Sequence, residues 1–337
     1  MNKRQGEEKF VWWHGVVEDI NDPLQIGRYR VRIFGYHTPN KSAIKTSDLP
    51  WASTVQSITS AAASGIGRSP TGLLAGSHVF GFFKDGTDAQ LPVILGALAG
   101  IPESESNPQF GFNDPSGQIP NKSETESGNS VVGESDVSRL ARNANTENTI
   151  VQKKKDSVKK SIQKAGGSSW EEPTTPYAAI YPNNHVFQSL SGHVCEFDDT
   201  QGSERIHVYH KSGTFLEIHP DGSLVEKIQK DRYQVILGDD YVSVSGNVSV
   251  TVEGDASIKV LGNTSIESDG DVKAEVKKNL TATVEQEAKI ESKTIVLDAL
   301  ESIKLDAKNE IVLKTGGSTI TINTTGIRLN APGIDLN

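Results

Sequence analysis

Five glycines (Gly238, Gly246, Gly254, Gly262 and Gly270) stand eight residues apart, and each is followed by Asp or Asn. The next beat, Lys278-Asn279, keeps the Asn and drops the Gly. A register held over so many beats marks an internal repeat. Gly-Asn or Gly-Asp supplies a tight turn in which positive φ is tolerated. Between turns the residues alternate: Val248, Val250 and Val252 point to one side, Ser249 and Thr251 to the other. Ala256, Ile258 and Val260 repeat the apolar face, as do Val272, Ala274 and Val276, while Lys273, Glu275 and Lys277 take the opposite side. Each octad is therefore read as one short strand with a thin apolar face and a polar face.

Beyond residue 292 the beat continues with fewer glycines. Ile295-Val296-Leu297-Asp298-Ala299 is echoed at Ile303–Ala307 and Ile311–Thr315, with shorter versions at Ile320, Ile327 and Ile334. A strand with three small apolar residues builds no core alone, so stacking is required. One chain coiling on itself would make only about four turns of such a solenoid. Three chains winding about one axis give a deeper, continuous core, so the expectation for 233–337 is an intertwined triple-stranded β-helix, a homotrimer. With strands about 4.8 Å apart, about twelve octads make a shaft of roughly 60 Å. The region holds 10 Lys+Arg and 16 Asp+Glu, a net charge of 10 − 16 = −6 per chain. A stiff acidic needle penetrates only when something drives it.

The remaining two thirds read as further β-structure. Aromatics are 6% and hydrophobic residues 35% of the 337 residues, thin for one compact core, so a modular or elongated protein is expected. In 1–100, the alternating run Arg28 to Phe34, the apolar runs His78–Phe83 and Leu91–Leu95, and the turn Lys84–Asp88 between them point to about five strands. That pattern suits a small closed OB-fold barrel. Residues 59–76 are small and Gly-rich and read as a mobile barrel loop, without a phosphate-binding GxxxxGK[ST] pattern. Residues 101–176 read as a polar linker with one helix near 150–164, ended by Gly166-Gly167, its Lys run forming a solvated face. Residues 177–232 read as a meander of short strands separated by DDTQG, KSG and PDG. The fold class expected is all-β: barrel, linker, β-meander collar, β-helix.

The formal net charge of −9 argues against nucleic acid as a partner and against a polybasic membrane anchor. A single cysteine, Cys195, forms no intrachain disulfide and no CxxC zinc site. The N-terminal residues lack the apolar core of a signal peptide, and no stretch approaches the length of a membrane helix.

Three regions resemble one known family, the central spikes of contractile phage tails, related to the VgrG spikes of type VI secretion. They are WWHGVVEDINDPLQIGRYRVRIFGYHT (12–38) with FFKDGTDAQLPVILG (82–96), the stretch YPNNHVFQSLSGHVCEFDDTQGSERIHVYHKSGTFLEIHPDGSLVEKI (181–228), and the octads. The collar stretch is the most specific of the three. The resemblance implies an OB-fold docked on a trimeric baseplate hub, a trimeric β-helix pointing at the host, and a PAAR-type protein capping the tip. It implies a virion protein of the tail baseplate, made in the host cytoplasm. T-even-type spikes, which this chain most resembles, carry a lysozyme domain between barrel and collar. Here that interval, 101–176, is about half what such a domain needs. Its acidic residues Glu103, Glu105, Glu124 and Glu126 lie in low-complexity sequence that offers no burial to raise a carboxylate pKa. The chain is thus expected not to be an enzyme.

Other constellations read as structural. His185, His193, His207, His210 and His219 fall in the collar without the spacing of a metal motif. The His-x-His iron site found at the tip of some spikes of this family has no counterpart, since no histidine follows His219. Ser, His and Asp in 191–221 lie without a nucleophile elbow. Cys195 reads as packed rather than reactive. Trp12 and Trp13 are adjacent on a strand, so one faces the barrel core and the other a partner. No catalytic, cofactor or metal residue is assigned. The leading function is a mechanical, envelope-puncturing spike; the alternatives are a peptidoglycan-degrading tail lysin and a β-helical receptor-binding adhesin.

Overall fold

The structure is a computed structural model that describes residues 10–103, 107–113, 133–144 and 149–334. The chain divides into two compact units, Met1–Ala256 and Ser257–Asn337.

The first unit opens with a closed five-stranded barrel. Its strands are β1 (Trp12–Asp19), β2 (Tyr29–Ile33), β3 (Trp51–Thr54), β4 (His78–Phe83) and β5 (Pro92–Ala97). They close in the order β1-β2-β3-β5-β4, with β4 pairing back to β1 and only β3–β5 parallel. This is the OB-type barrel that the spacing of apolar runs predicts. Trp13, Val17, Tyr29, Val31, Ile33, Val79, Phe83 and Ile94 fill it, each from alternate positions of its strand. Trp13 is 5% exposed and its neighbour Trp12 58%, as adjacent strand residues must differ. The loop 59–76, expected to be mobile, is fastened to the barrel: Tyr29 donates to the Pro70 carbonyl at 2.7 Å, Leu73 packs against the core, and Gly76 N donates to the Val17 carbonyl.

One strand residue departs from the alternating reading. Arg32, on the face opposite the core, is fully buried rather than solvated. Its Nε donates to Glu18 Oε1 at 2.5 Å, Nη1 to the Thr38 carbonyl at 2.8 Å and Nη2 to the Ile44 carbonyl at 2.7 Å. Thr46 Oγ1 donates to the second Glu18 oxygen at 2.7 Å. The loop 38–46 covers this pair because the guanidinium satisfies its carbonyls. Residues 107–113 complete the cover: Gly111 N donates to the Pro39 carbonyl, and Phe112 stacks on Phe34 with ring centroids 3.8 Å apart.

The interval after the barrel contains two short helices, α1 (Arg139–Arg142) and α2 (Ile150–Asp156). Thr149 caps α2 by accepting from Gln152 N. The helix ends at Asp156, well short of the expected 164, because Ser157 Oγ donates to the Lys154 carbonyl and Lys227 Nζ to the Ser157 carbonyl. Gly166-Gly167, expected to end the helix, instead form the turn between β6 (Ile162–Gln163) and β7 (Ser169–Trp170).

The collar is one antiparallel sheet of β8 (Asn184–Gln188), β9 (Val194–Asp198), β10 (Arg205–Tyr209), β11 (Phe215–Ile218) and β12 (Leu224–Lys227). Neighbours in sequence are neighbours in the sheet. Gly192, Gly202, Gly213 and Gly222 make its reversals at positive φ.

From residue 231 the backbone runs extended and exposed, bending at 237/238, 245/246 and 253/254 in the first unit. In the second unit the bends continue at 261/262, 269/270, 277/278 and 285/286. The eight-residue beat of the glycines is thus a beat of the backbone. It starts one octad earlier than the glycines do, at a bend over Gln229-Lys230. That beat carries no glycine; Gln229 is instead held by the collar, its N donating to Thr214 Oγ1. The end also differs from the expected octads. β13 (Glu310–Thr315), β14 (Ser318–Asn323) and β15 (Gly326–Asn330) form an antiparallel meander. Two-residue loops reverse it: Gly316-Gly317, with Gly316 at φ +51°, and Thr324-Thr325.

Candidate functional site

The buried face of the collar sheet mixes apolar and charged side chains. Beside Val194, Tyr209, Phe215 and Val225 of its core it carries Glu196, Asp198, Arg205, His207 and Glu217, all buried. α1, α2 and the segment around Tyr177 cover it through Leu140, Val151 and Ala179. Three carboxylates here meet two permanent partners. Arg205 Nη1 donates to Glu217 Oε1 at 2.9 Å, and its Nη2 lies 3.1 Å from Glu196 Oε2. Lys154 reaches in from α2, with Nζ 2.7 Å from Glu217 Oε1, 3.2 Å from His207 Nε2 and 4.0 Å from the centre of the Phe215 ring. The Lys run was expected to be solvated; Lys154 is buried because this acidic face takes it up. Lysine has only donors, so His207 Nε2 accepts. The histidine proton then sits on Nδ1 and is donated to Glu196 Oε2 at 2.6 Å.

Burial and charge set the ionisation. Burial raises the Glu217 carboxyl, but Lys154 and Arg205 outweigh it and hold it down at about 2. Burial pushes the Lys154 ammonium down to about 8 against the pull of Glu217. Burial likewise lowers His207 and keeps it neutral, against the pull of Glu196. Glu196 stays below its ordinary range although burial opposes this, because His207 and Arg205 support the charge. A general acid for glycoside hydrolysis needs a raised pKa, the reverse of Glu196 and Glu217. The arrangement fits a fastening of helix to sheet, not proton transfer.

The other collar histidines are dispersed. His219 Nε2 lies 3.1 Å from Glu217 Oε2, His185 faces Asp199, and His193 and His210 pair at 4.5 Å between rings at the sheet's edge. Among the described residues no three His, Cys, Asp or Glu side chains converge as a metal site. Glu103 is exposed, and Glu105, Glu124 and Glu126 lie outside the described residues.

The opposite collar face is apolar and open. Across the strands, Phe187 pairs with Cys195, Cys195 with Val208 and Val208 with Leu216. The next row runs from Phe197 through Ile206 and Ile218 to Leu224. Phe187, Phe197, Val208 and Leu224 are each half exposed or more. The octads present the same condition: Val248, Val250, Val252, Ile258 and Val272 are all exposed. On the barrel, Phe10, Trp12 and Phe82 cluster on the outside, with Phe10 and Phe82 stacked 4.9 Å apart.

Residues 35–186 match the family model of the Gp5 N-terminal OB domain. The matched range starts after β2 and runs into β8, so the first two barrel strands lie ahead of it. The chain is 41% identical over 277 residues to Protein Gp5 of Vibrio phage KVP40, covering 73% of this chain and 64% of that protein. The chain resembles Gp5 over most of its length. It is also 46% identical over 116 residues to the pre-baseplate central spike protein Gp5 of Enterobacteria phage T4, covering 33% of this chain and 20% of the T4 protein. The chain therefore spans less than two thirds of either Gp5 relative. The Gp5 likeness agrees with the OB-type barrel.

Proposed function

We propose that this chain is a structural central spike at the baseplate of a contractile phage tail, acting mechanically on the cell envelope. One observation carries the reading. The octad segment bends every eighth residue and offers its Val and Ile side chains to solvent, with no β-ladder between residues 231 and 309. Apolar strands with unpaired backbone need partners of the same period. A homotrimer supplies them, each chain giving one side of a prism over the octads up to residue 309, with the β13–β15 meander following.

The rest of the chain takes roles from that shaft. The barrel domain, 1–100, docks on a trimeric hub, and the outer aromatic cluster of exposed Phe10 and Trp12 with the half-buried Phe82 has the composition of a docking surface. The collar, 177–232, starts the winding. The Ile-rich end leads, capped by a PAAR-type protein. The protein belongs at the baseplate tip of the virion and is made in the host cytoplasm.

Enzymatic action is not part of this proposal. Described pieces of 101–176 are already engaged, 107–113 on the barrel, and 138–144 and 149–157 on the collar. Light scattering of the purified protein tests the reading: a mass of three chains is expected, and a monomer overturns it. A zymogram on bacterial cell walls separates spike from lysin; no clearing is expected.

A further inference from the structure

We propose that the β6–β7 hairpin is a clasp that braces the base of the shaft from outside, holding the third octad of its own chain to the collar. The proposal rests on the trimeric spike reading and gives that shaft a fixed setting on the collar.

The hairpin belongs to neither core. Its ladder is two residue pairs, Ile162 with Trp170 and Gln163 with Ser169, and it joins no other sheet. None of its residues enters the packed clusters of barrel or collar. A two-stranded ladder this short is marginal by itself, so what it touches decides where it stands.

Its root lies where the shaft begins. Glu172 N donates to the Lys159 carbonyl at 3.0 Å, closing the base of the hairpin, and Lys159 N donates to Glu172 Oε2 at 3.0 Å. Lys227 Nζ donates to the same Glu172 oxygen at 2.9 Å and to the Ser157 carbonyl at 2.6 Å. Lys227 is the last residue of β12, and the first octad bend follows at 229/230. The six residues from Ser157 to Gln163 reach at most roughly 20 Å, and two octads of a shaft rise roughly 10 Å. The hairpin is therefore long enough to stand beside the third octad.

It meets that octad on the side that a three-chain prism leaves outside. Thr251 Oγ1 donates to the Gln163 carbonyl, and Lys159 Nζ lies 3.6 Å from Glu253 Oε1. Thr251 and Glu253 alternate with Val250 and Val252, which places both on the polar face. A contact on the valines would compete with the winding of the chains; this one does not. Charge favours it as well. Residues 158–164 carry Lys159, Lys160 and Lys164 and no acid, while 231–254 carry Asp231, Asp239, Asp240 and Glu253 against Arg232. The Lys159–Glu253 pair is exposed and contributes little alone. The hydroxyl bond sets the position, and the charge sets the partner. The clasp is a second, off-axis attachment beside the chain connection at 228–230, and it resists turning of the first octads against the collar.

Cross-linking of the full-length protein tests the contact. In a Cys195→Ala background, which removes the only cysteine, Gln163→Cys and Thr251→Cys are joined by a short bismaleimide. The expected result is a trimer by light scattering whose chains run singly on a denaturing gel, with a 163–251 link found by mass spectrometry. Links between chains, or no link in a trimer whose two cysteines each take a single maleimide, overturn the proposal. Replacing 160–171 with Asn-Gly tests the bracing, since it keeps the hydrogen-bonded ends Lys159 and Glu172 and closes them with a two-residue turn. Hydrogen exchange in 231–253 should quicken about tenfold in this variant, with 262 onward unchanged. If the shortened chain no longer forms a trimer, Thr251→Val takes its place; it removes the hydroxyl bond alone and should quicken the same exchange about threefold. Exchange equal to that of the wild type shows contact without bracing and overturns the proposal, with the spike reading intact. A wild-type monomer overturns the spike reading itself and this proposal with it.

Discussion

Lys154 Nζ lies 2.7 Å from Glu217 Oε1, joining a helix from the interval after the barrel to the fourth strand of the collar. Both side chains are almost wholly removed from solvent. A buried pair adds little net stability compared with an apolar pair, yet breaking it leaves an isolated charge in the interior. Lys154→Met should therefore destabilise the collar by about 2–4 kcal/mol, with Arg205 still compensating part of the Glu217 charge. Lys154→Met combined with Glu217→Met should recover part of that loss. Urea unfolding of the three variants, analysed as a double-mutant cycle, checks the coupling; strict additivity would mean that the contact carries no weight.

The same pair predicts a pH dependence whose two limbs have opposite signs. Glu217 is held at about 2, below the ordinary carboxylate value, so its contribution is fully present above pH 4.5 and is lost as pH falls from 4.5 toward 2. Lys154 is at about 8 when folded and near 10.5 when unfolded. Between those values the unfolded chain binds the extra proton, so this group makes stability rise with pH. The melting temperature of the wild type minus that of Lys154→Met should therefore climb from pH 8 to pH 10. The acid slope of Glu217→Gln should be shallower than that of the wild type. A difference curve that is flat on both limbs would contradict the assigned ionisation states.

Gly111 passes directly over the buried Arg32–Glu18 pair, where an added Cβ would run into Glu18 Oε1 and Arg32 Nε. Neither partner can yield, since both are fully committed to hydrogen bonds. Gly111→Val should lift residues 107–113 off the barrel, break the Phe34–Phe112 stack and cost about 1–3 kcal/mol. Hydrogen exchange at 38–46 and 107–113 is the measurement. Unchanged protection in both segments would show that the cover does not depend on this contact.

The barrel and the octads were legible because each is written in a local period. Tyr29, Val31 and Ile33 alternate with Arg30 and Arg32, and the structure puts the first three in the core. What alternation does not say is what lies on the other side. Arg32 reads as solvated, and only the distant residues Thr38, Ile44 and Gly111 bury it. The collar makes the same point more strongly. Glu196, Asp198, Arg205, His207 and Glu217 alternate with Phe197, Ile206 and Ile218 along β9, β10 and β11. Period two puts the charged set on one face with Val194, Tyr209, Phe215 and Val225, while the other face is almost wholly apolar and by ordinary practice would be assigned to the interior. A lysine on a separate helix, 63 residues before Glu217, reverses the assignment, and no local pattern carries that. One signal was present: four charged side chains of both signs and one histidine, converging on one face, form a set that can satisfy itself when buried.

The octads allow the sharpest mutational contrast. Val250 and Ser249 are adjacent, both exposed in a single chain and on opposite sides of one extended stretch. In a three-chain prism, Val250 lies against the axis together with its two symmetry copies, so Val250→Asp places three carboxylates at one level of a dry core. Like charges at that distance cannot all ionise, and each unpaired carboxylate is costly to bury. Ser249→Asp puts its charge on the outer, already acidic surface, where the effect is within about 0.5 kcal/mol. Light scattering at micromolar concentration should find Ser249→Asp a trimer and Val250→Asp a monomer or a mixture of lower oligomers. Lowering the pH below 4 should partly restore the Val250→Asp trimer, since neutral carboxyls are tolerated where carboxylates are not. If the two variants behave alike, the apolar face of the octads is not the face on which the chains meet.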